Sequence, residues 1–400
     1  MYSILNGIKV LDLTTVVLGP YATQFLGDFG ADVIKVENLS GDLFRTVRPG
    51  RSNDMGAGYM NCNRNKRSIA VDLKTPEGKD IFMRLVKESD VVVHNMRSST
   101  AKRLGVDYDS VKQTNPTIVY CFAPGFGQNG KYAEKPAYDD IIQAESGIAY
   151  LNRDAQGHPK FIPTIICDKV GGMHLAMAVL AGLNYRLLHN KGCVLETPMF
   201  EGMVSFLMTE QLSGETFVPP LGGTGYERLT SPYRKPFPTA DGYISILPYS
   251  TRHWQKFFTL VEREDMVNHE FVTDPVKRSE NVGTLYKIVS ECTPHRTTAQ
   301  WSEVLTSIDV PFAPVNDVAS LLNDPHLVSQ NFFTEYDHPS EGRLKSVGSP
   351  FYAEGVEQSS NLPPPKLGMD TSDILHELGY QTEEITAMQH ANVVLCHTDN

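Results

Sequence analysis

Between Ile8 and Asp168, apolar β-branched runs alternate with helix-forming segments, and this restricts the chain to a sheet of parallel strands joined by helices. Ile8 to Leu13 reads as a first strand. Val16-Val-Leu-Gly19-Pro20 then turns into a helix from Tyr21 to Phe29, and Gly30 ends it before a second strand, Ala31 to Glu37. In sheets of this kind ligands collect at the carboxyl ends of the strands. Gly19-Pro20 is not GxGxxG, so the common dinucleotide fingerprint is missing and Gly19 reads as a tight turn. A basic loop, Asn63 to Arg67, leads into a short strand near Val71, and Thr75-Pro76 starts a helix to Glu88. Further strands follow at Asp90 to Asn95 and Ile118 to Phe122, with a short helix from Ala101 to Leu104 between them. Lys66, Arg67, Lys74, Arg97 and Arg103 recur near strand ends. Solvated surface charge accounts for most such residues, and convergence on one anionic ligand is the other reading.

The run Pro163-Thr-Ile-Ile-Cys-Asp168-Lys-Val-Gly171-Gly172-Met-His174 holds the most suggestive chemistry. Helix formers continue from it to His189, where Asn190-Lys191-Gly192 gives a stop signal. Asp168 therefore falls at the corner where a helix starts. One reading makes it the N-cap, its carboxylate accepting a first-turn N–H. The other makes it a reactive carboxylate, with Gly171 and Gly172 leaving room for a reacting group and backbone donors for an oxyanion. The motif by itself supports both.

After a strand at Cys193 to Pro198 and a helix from Met199 to Leu212, the segment 214–238 turns rich in proline and glycine and reads as a linker or active-site loop. Helices are predicted around 252–261, 282–290 and 298–307, strands at 244–247 and 308–315, a charged tail segment from Glu335 to Phe351, and a last helix at 371–378. The expected organisation is a large domain over 1–213, a linker over 214–238, a small domain over 239–325, and a return to the large domain over 326–400. A net charge of −11 disfavours nucleic acid as a partner. The six cysteines are scattered without a CxxC pair or Cys/His cluster, which predicts neither structural metal nor disulfides and suits a reducing cytoplasm. No signal peptide is read at the N-terminus and no run is expected to span a bilayer, so no membrane partner is expected.

Set in order, these pieces resemble the CaiB/BaiF family, the family III CoA-transferases. The resemblance runs over nearly the whole chain: Gly7-Ile-Lys-Val-Leu-Asp-Leu, Gly19-Pro20, Phe29 to Glu37, Asn65-Lys66-Arg67-Ser68, Asp72 to Gly78, Asn95-Met96, Ala137-Tyr138-Asp139, Cys167-Asp168 through Gly172, Asp241-Gly242-Tyr243, Ile308 to Val315, and Leu367 to Leu375. It implies an α/β fold, with a Rossmann-like large domain built from both chain ends and a smaller central α+β domain, in an interlocked homodimer. It also implies CoA transfer from an acyl-CoA donor to a free carboxylic acid, with no permanently bound cofactor. Asp168 occupies the position of the family's nucleophile, which passes through a mixed anhydride and an aspartyl-CoA thioester. CoA contacts carry over to Val17, Leu18, Val71, Asp72, Leu73, Lys74, Asn95, Met96, Arg97, Arg103, Tyr138 and Asp139. Asn38, Arg97-Ser98-Ser99 and Leu367-Gly368-Met369-Asp370 depart from the family's usual residues.

The same fold includes α-methylacyl-CoA racemases, which pair the aspartate with a histidine where this chain has Tyr138. Tyrosine ionises near pH ~10 and is a poor base at neutral pH, which argues against racemisation. A CoA-binding protein without catalysis is the third class, and the intact aspartate and its glycines argue against it. The glycine-rich loop of formyl-CoA-type members is matched only faintly, by Gly222-Gly223. Arg228, Arg234, Lys235 and His253 read either as surface charge or as partners for a second carboxylate.

Overall fold

The computed structural model describes residues 1–397. They divide into two compact units, one formed by 1–207 with 331 onward and the other by 208–330. The first unit is a mixed α/β structure around a seven-stranded sheet. Its strands are β1 (Lys9–Asp12), β2 (Asp32–Glu37), β3 (Lys66–Val71), β4 (Val91–His94), β5 (Val119–Phe122) and β6 (Cys193–Glu196), with Val394–Leu395 as an added edge. In space the order is Val394–Leu395, β3, β2, β1, β4, β5, β6. Every pairing from β3 to β6 is parallel, and only the Val394–Leu395 edge runs antiparallel, against β3. The order reverses between β1 and β4, which opens a crevice at their carboxyl ends.

Side chains alternate across this sheet with a period of two. Val10, Val33, Val91, Val93 and Val119 face one core, while Leu11, Ile34, Val36, Ile69 and Val92 face the other. The first core is covered by α1 (Leu18–Asp28) and α2 (Ile166–His189). The second is closed partly by Ile374, Leu375, Ile385 and Val393 from the chain's far end. Burial of both sheet faces explains the near-continuous valine runs of β4 and its neighbours.

α1 begins at Leu18, so Gly19-Pro20 is its first turn and not the tight turn expected before it. Proline is tolerated there because first-turn N–H groups have no partner within the helix. Gly19 is required for close approach, since a Cβ would stand 2.1 Å from that of Thr14. α2 is 24 residues long and contains a stretch long and apolar enough to cross a membrane by length and composition, against the sequence expectation. Half of that stretch is buried in this unit, where α2 packs on α1 and the sheet.

Lys66 and Arg67 lie within β3 and not in a loop before it. Lys66 is fully buried and donates to Asp12 at 3.0 Å, while Arg67 pairs with Asp32 and Glu377. Neither cation is left to meet a ligand. Arg45 holds Glu37 with two hydrogen bonds, at 2.8 and 2.6 Å, and reaches the Pro365 carbonyl at 3.2 Å, tying the returning chain to the first half. The expected charged tail is a hairpin, Phe333–His338 with Gly342–Val347. A helix at Thr382–His390 follows the predicted one.

The second unit holds a three-stranded antiparallel sheet, Phe237–Pro238, Tyr243–Ile246 and Phe312–Pro314, packed on helices through Trp254, Phe257, Phe258 and Trp301. The predicted strand 308–315 shortens to Phe312–Pro314, because Asp309 takes a left-handed backbone, φ 56°, that breaks it.

The α1–α2 contact is close because of Gly171 and Gly172. A Cβ on Gly172 would stand 2.6 Å from the Leu18 carbonyl oxygen. Gly172→Ala is therefore expected to destabilise the protein by about 1–3 kcal/mol, although alanine improves helix propensity by about 1 kcal/mol. Urea unfolding checks the sign, and a more stable variant would show that the helices do not press together there.

Candidate active site

Two pockets open at the carboxyl ends of the strands. The larger, about 640 Å³, is lined by Leu13, Val36, Val71, Asp72, Leu73, Lys74, Met96 and Arg103, among others. The smaller, about 200 Å³, is lined by Val16, Val17, Leu18, Asn95, Arg97, Tyr138 and Asp168, among others. Thr15, just past β1, lines both. The structure thus gathers most of the residues expected to meet CoA, and divides them between two adjoining cavities. Lys74 and Arg103 form no ion pair among the described residues, although both line the larger one.

Asp168 is the one carboxylate on the smaller pocket's wall. It is not the N-cap of α2. That position is Ile165, whose side chain caps nothing, and Asp168 lies in the first helical turn. The capping carboxylate comes from a distant part of the chain. Asp139 Oδ1 accepts from the backbone N–H of Cys167 at 2.7 Å and of Asp168 at 3.1 Å. Its Oδ2 accepts from Gln143 Nε2 at 2.6 Å, and Gln143 Oε1 accepts from the Ile162 N–H at 2.9 Å. Asp139 is buried and lines neither pocket, so the CoA contact expected of it gives way to a positioning role. Its partner positions lie 28 and 29 residues away, which explains why a local capping pattern could not reveal it.

Gly171 and Gly172 also differ from expectation. They sit inside α2 against Leu18 and Tyr21, so the space they leave is filled by α1 and not by a reacting group. Their part in the site is to bring Leu18 beside Asp168, where both line the same cavity.

Among the described residues no hydrogen bond or ion pair satisfies the Asp168 carboxylate, which sits half-buried on the pocket wall. Burial raises its pKa, and the nearby Asp139 carboxylate raises it further, to about 7. Cys167, its neighbour in the first turn of α2, faces the core, and burial first and Asp139 second push its thiol up to about 12. It stays protonated at neutral pH and does not compete as a nucleophile. Tyr138 is 64% exposed and lines the pocket, whose lining includes no histidine.

Sequence reading missed Thr15, Val16, Leu43 and Lys135 as pocket residues. Lys135 carried a weak signal, a lysine three residues before Tyr138, but its ammonium is engaged by Glu145 and lies over the Phe126 and Tyr132 rings.

The comparisons give the class. The model of CoA-transferase family III matches residues 5–371, and the chain belongs to that family. It is a CoA-transferase, with acyl-CoA and a carboxylate as its substrates. It is 30% identical to human succinyl-CoA:glutarate CoA-transferase, over 98% of this chain and 90% of that one. It is 31% identical to succinyl-CoA:mesaconate CoA-transferase of Haloarcula marismortui, over 94% and 97%. A solved CaiB/BaiF family protein from Brucella suis superposes with a TM-score of 0.78 at 29% identity, covering 94% of this chain and all of that one.

The raised pKa of Asp168 predicts a stability effect with a definite sign. An unfolded aspartate ionises near pH ~4, so the folded state keeps the proton longer. Stability then falls as pH rises from that value through about 7, and the full penalty stands above it. Asp168→Asn removes the penalty. The variant is expected to be more stable than wild type at pH 8, on the order of 2 kcal/mol after allowing for solvent at a half-buried group. At pH 4 the two should melt together, and melting curves across this range check it.

Proposed function

We propose that Asp168 is the nucleophile of CoA transfer, and that the donor and acceptor are both dicarboxylic acids or their CoA esters. The observation carrying the first part is that Asp168 is the pocket's one carboxylate, without a side-chain hydrogen bond among the described residues and beside the larger cavity. The second part is supported by the two relatives above, whose names pair succinyl-CoA with glutarate or with mesaconate.

The ionised carboxylate attacks the thioester carbonyl, the C–S bond breaks, and CoA leaves as thiolate with a mixed anhydride on Asp168. The thiolate attacks the aspartyl carbonyl of that anhydride, releasing the donor acid as carboxylate and leaving an aspartyl-CoA thioester. The acceptor carboxylate attacks this thioester, again expelling thiolate, and the thiolate then takes the acceptor's acyl group from the anhydride. Asp168 is restored, and no step gains or loses electrons. Splitting one displacement into such stages is the advantage of covalent catalysis. A half-buried pocket also limits hydrolysis of the anhydride.

In this reading Lys74 and Arg103 meet the phosphates of CoA in the larger cavity, where Asp72, Leu73 and Met96 give it shape. The thioester end then reaches past Asn95, Val17 and Leu18 to Asp168, with Arg97 and Tyr138 on the same wall. Tyr138 does not serve as a racemase base.

Transfer is tested by incubating succinyl-CoA with glutarate, mesaconate and a set of monocarboxylic acids, reading new CoA esters by mass spectrometry. Wild type is expected to favour the dicarboxylates. Asp168→Asn is expected to fold and to lose at least roughly 10³-fold in kcat, as loss of an attacking group does. Hydroxylamine added after acyl-CoA should label the peptide carrying Asp168. Full activity in the variant, or label on another carboxylate alone, would overturn the assignment.

We also propose the family's interlocked homodimer. Its support is apolar surface that one chain leaves uncovered, with Met177 57%, Leu188 68% and Val218 97% exposed. Light scattering at low micromolar concentration should give twice the 44.5 kDa of one chain, and a monomer would contradict it.

A further inference from the structure

The wall of the Asp168 pocket contains a strained residue. Val16 lies in the left-handed region, φ 68°, and it lines the same cavity as Asp168. A β-branched side chain rarely adopts that backbone, and holding it there costs on the order of 1–3 kcal/mol. Such a conformation persists only when its surroundings leave no alternative. Here they form a closed ring of buried charge.

Asp42 accepts from the Val16 N–H with both oxygens, at 3.0 and 3.2 Å. Lys35 Nζ donates to Asp42 Oδ2 at 3.0 Å and to the Thr14 carbonyl at 2.8 Å. The ring therefore runs from Thr14 through Lys35 and Asp42 to Val16. The side chains of Lys35 and Asp42 are wholly inaccessible to solvent. Asn95 fastens the residue between, accepting from the Thr15 N–H at 3.0 Å and donating to its carbonyl at 2.9 Å. Nothing in this arrangement serves the apolar core. A buried ion pair gives little net stability compared with apolar residues of the same shape. What it supplies is fixed backbone at the crevice: the turn immediately before α1, where the chain passes Asp168, and the start of Leu43–Thr46, where Asp42 accepts from the Phe44 N–H at 2.9 Å and lines the larger cavity.

We propose that the Lys35–Asp42 pair is a positioning unit, which holds Val16 in its strained conformation and so sets the pocket wall that Asp168 needs for transfer. Released from Asp42, Val16 would relax to negative φ and carry Val17 and Leu18 with it. Those residues line the pocket too, so the bound thioester would shift relative to the nucleophile. A displacement of about 1 Å is enough to lower kcat by roughly 10²-fold.

The proposal rests on the transferase reading, and the experiment separates the two. Asp42→Asn keeps the volume of the side chain and weakens the grip on Val16. It is expected to lower kcat at least roughly tenfold, with a far smaller change in KM for the acyl-CoA. Adding Val16→Gly to it should restore most of kcat, because glycine takes the left-handed region without being held. A simple loss of stability would not be repaired this way. If Asp42→Asn fails to fold, Lys35→Met with Asp42→Leu replaces the pair by apolar groups that such sites tolerate. The same rescue by Val16→Gly is then expected.

Unchanged kcat in the folded single or paired variants, or no recovery with Val16→Gly, would overturn the positioning role. Failure of wild type to form any new CoA ester would instead overturn the transferase reading. In that event hydrogen exchange at the Val16 amide still decides the clamp. It should be protected in wild type and exchange at least roughly tenfold faster without Asp42. Equal rates would sink the clamp.

Discussion

The close crossing of α1 and α2 is the constraint on which the active site depends. Two glycines on α2 remove the side chains that would hold the helices apart, and Leu18 of α1 fills the space. That contact places the start of α1 and the first turn of α2 on one small cavity. It also couples the site to the sheet, because α1 leaves β1 at the point where the strand order reverses. The surroundings of Asp168 are therefore set by backbone packing, which side-chain motion cannot easily disturb.

Charge is handled differently on the two sides of this crevice. Outside the Asp168 pocket, carboxylates are paired or donor-rich: Asp12 with Lys66, Asp42 with Lys35, Glu37 with Arg45, and Asp139 on the α2 backbone. In the pocket, the Asp168 carboxylate has no hydrogen-bond or ion-pair partner among the described residues. The paired groups hold the frame rigid, while burial and Asp139 together keep the proton affinity of the unpaired one high.

Membership of family III fixes the reaction class, and the relatives' names point toward dicarboxylic acids. Selection among such acids is a separate matter from the nucleophile. Arg228, which donates to the Tyr286 hydroxyl at 2.9 Å, belongs to the other compact unit, as do Arg234 and Lys235. Their charges are available to an anionic group, while the chemistry proposed for Asp168 requires none of them.

Much of the fold was legible in the sequence because it is written locally. The consecutive valines of Val91–His94, the glycine after α1 and the Thr75-Pro76 start signal act within a few residues of where they stand. Membership of the family was legible through the order of motifs along the chain, and those motifs drew attention to Asp168. Its local role was not: an aspartate before a helix reads as a cap, and only the approach of Asp139 showed the cap to be supplied from elsewhere. The same holds for Lys66, whose sequence context suggested surface charge and whose place in the sheet buries it against Asp12. Gly171 and Gly172 could be recognised as sites of close approach, but whether ligand or helix approaches them depends on where α1 lies. Local propensity and hydrophobic period determine elements. Partners separated by tens or hundreds of residues, such as Arg45 and Pro365, are decided only when the chain closes on itself, because nothing in either segment specifies the other until burial leaves it no other partner.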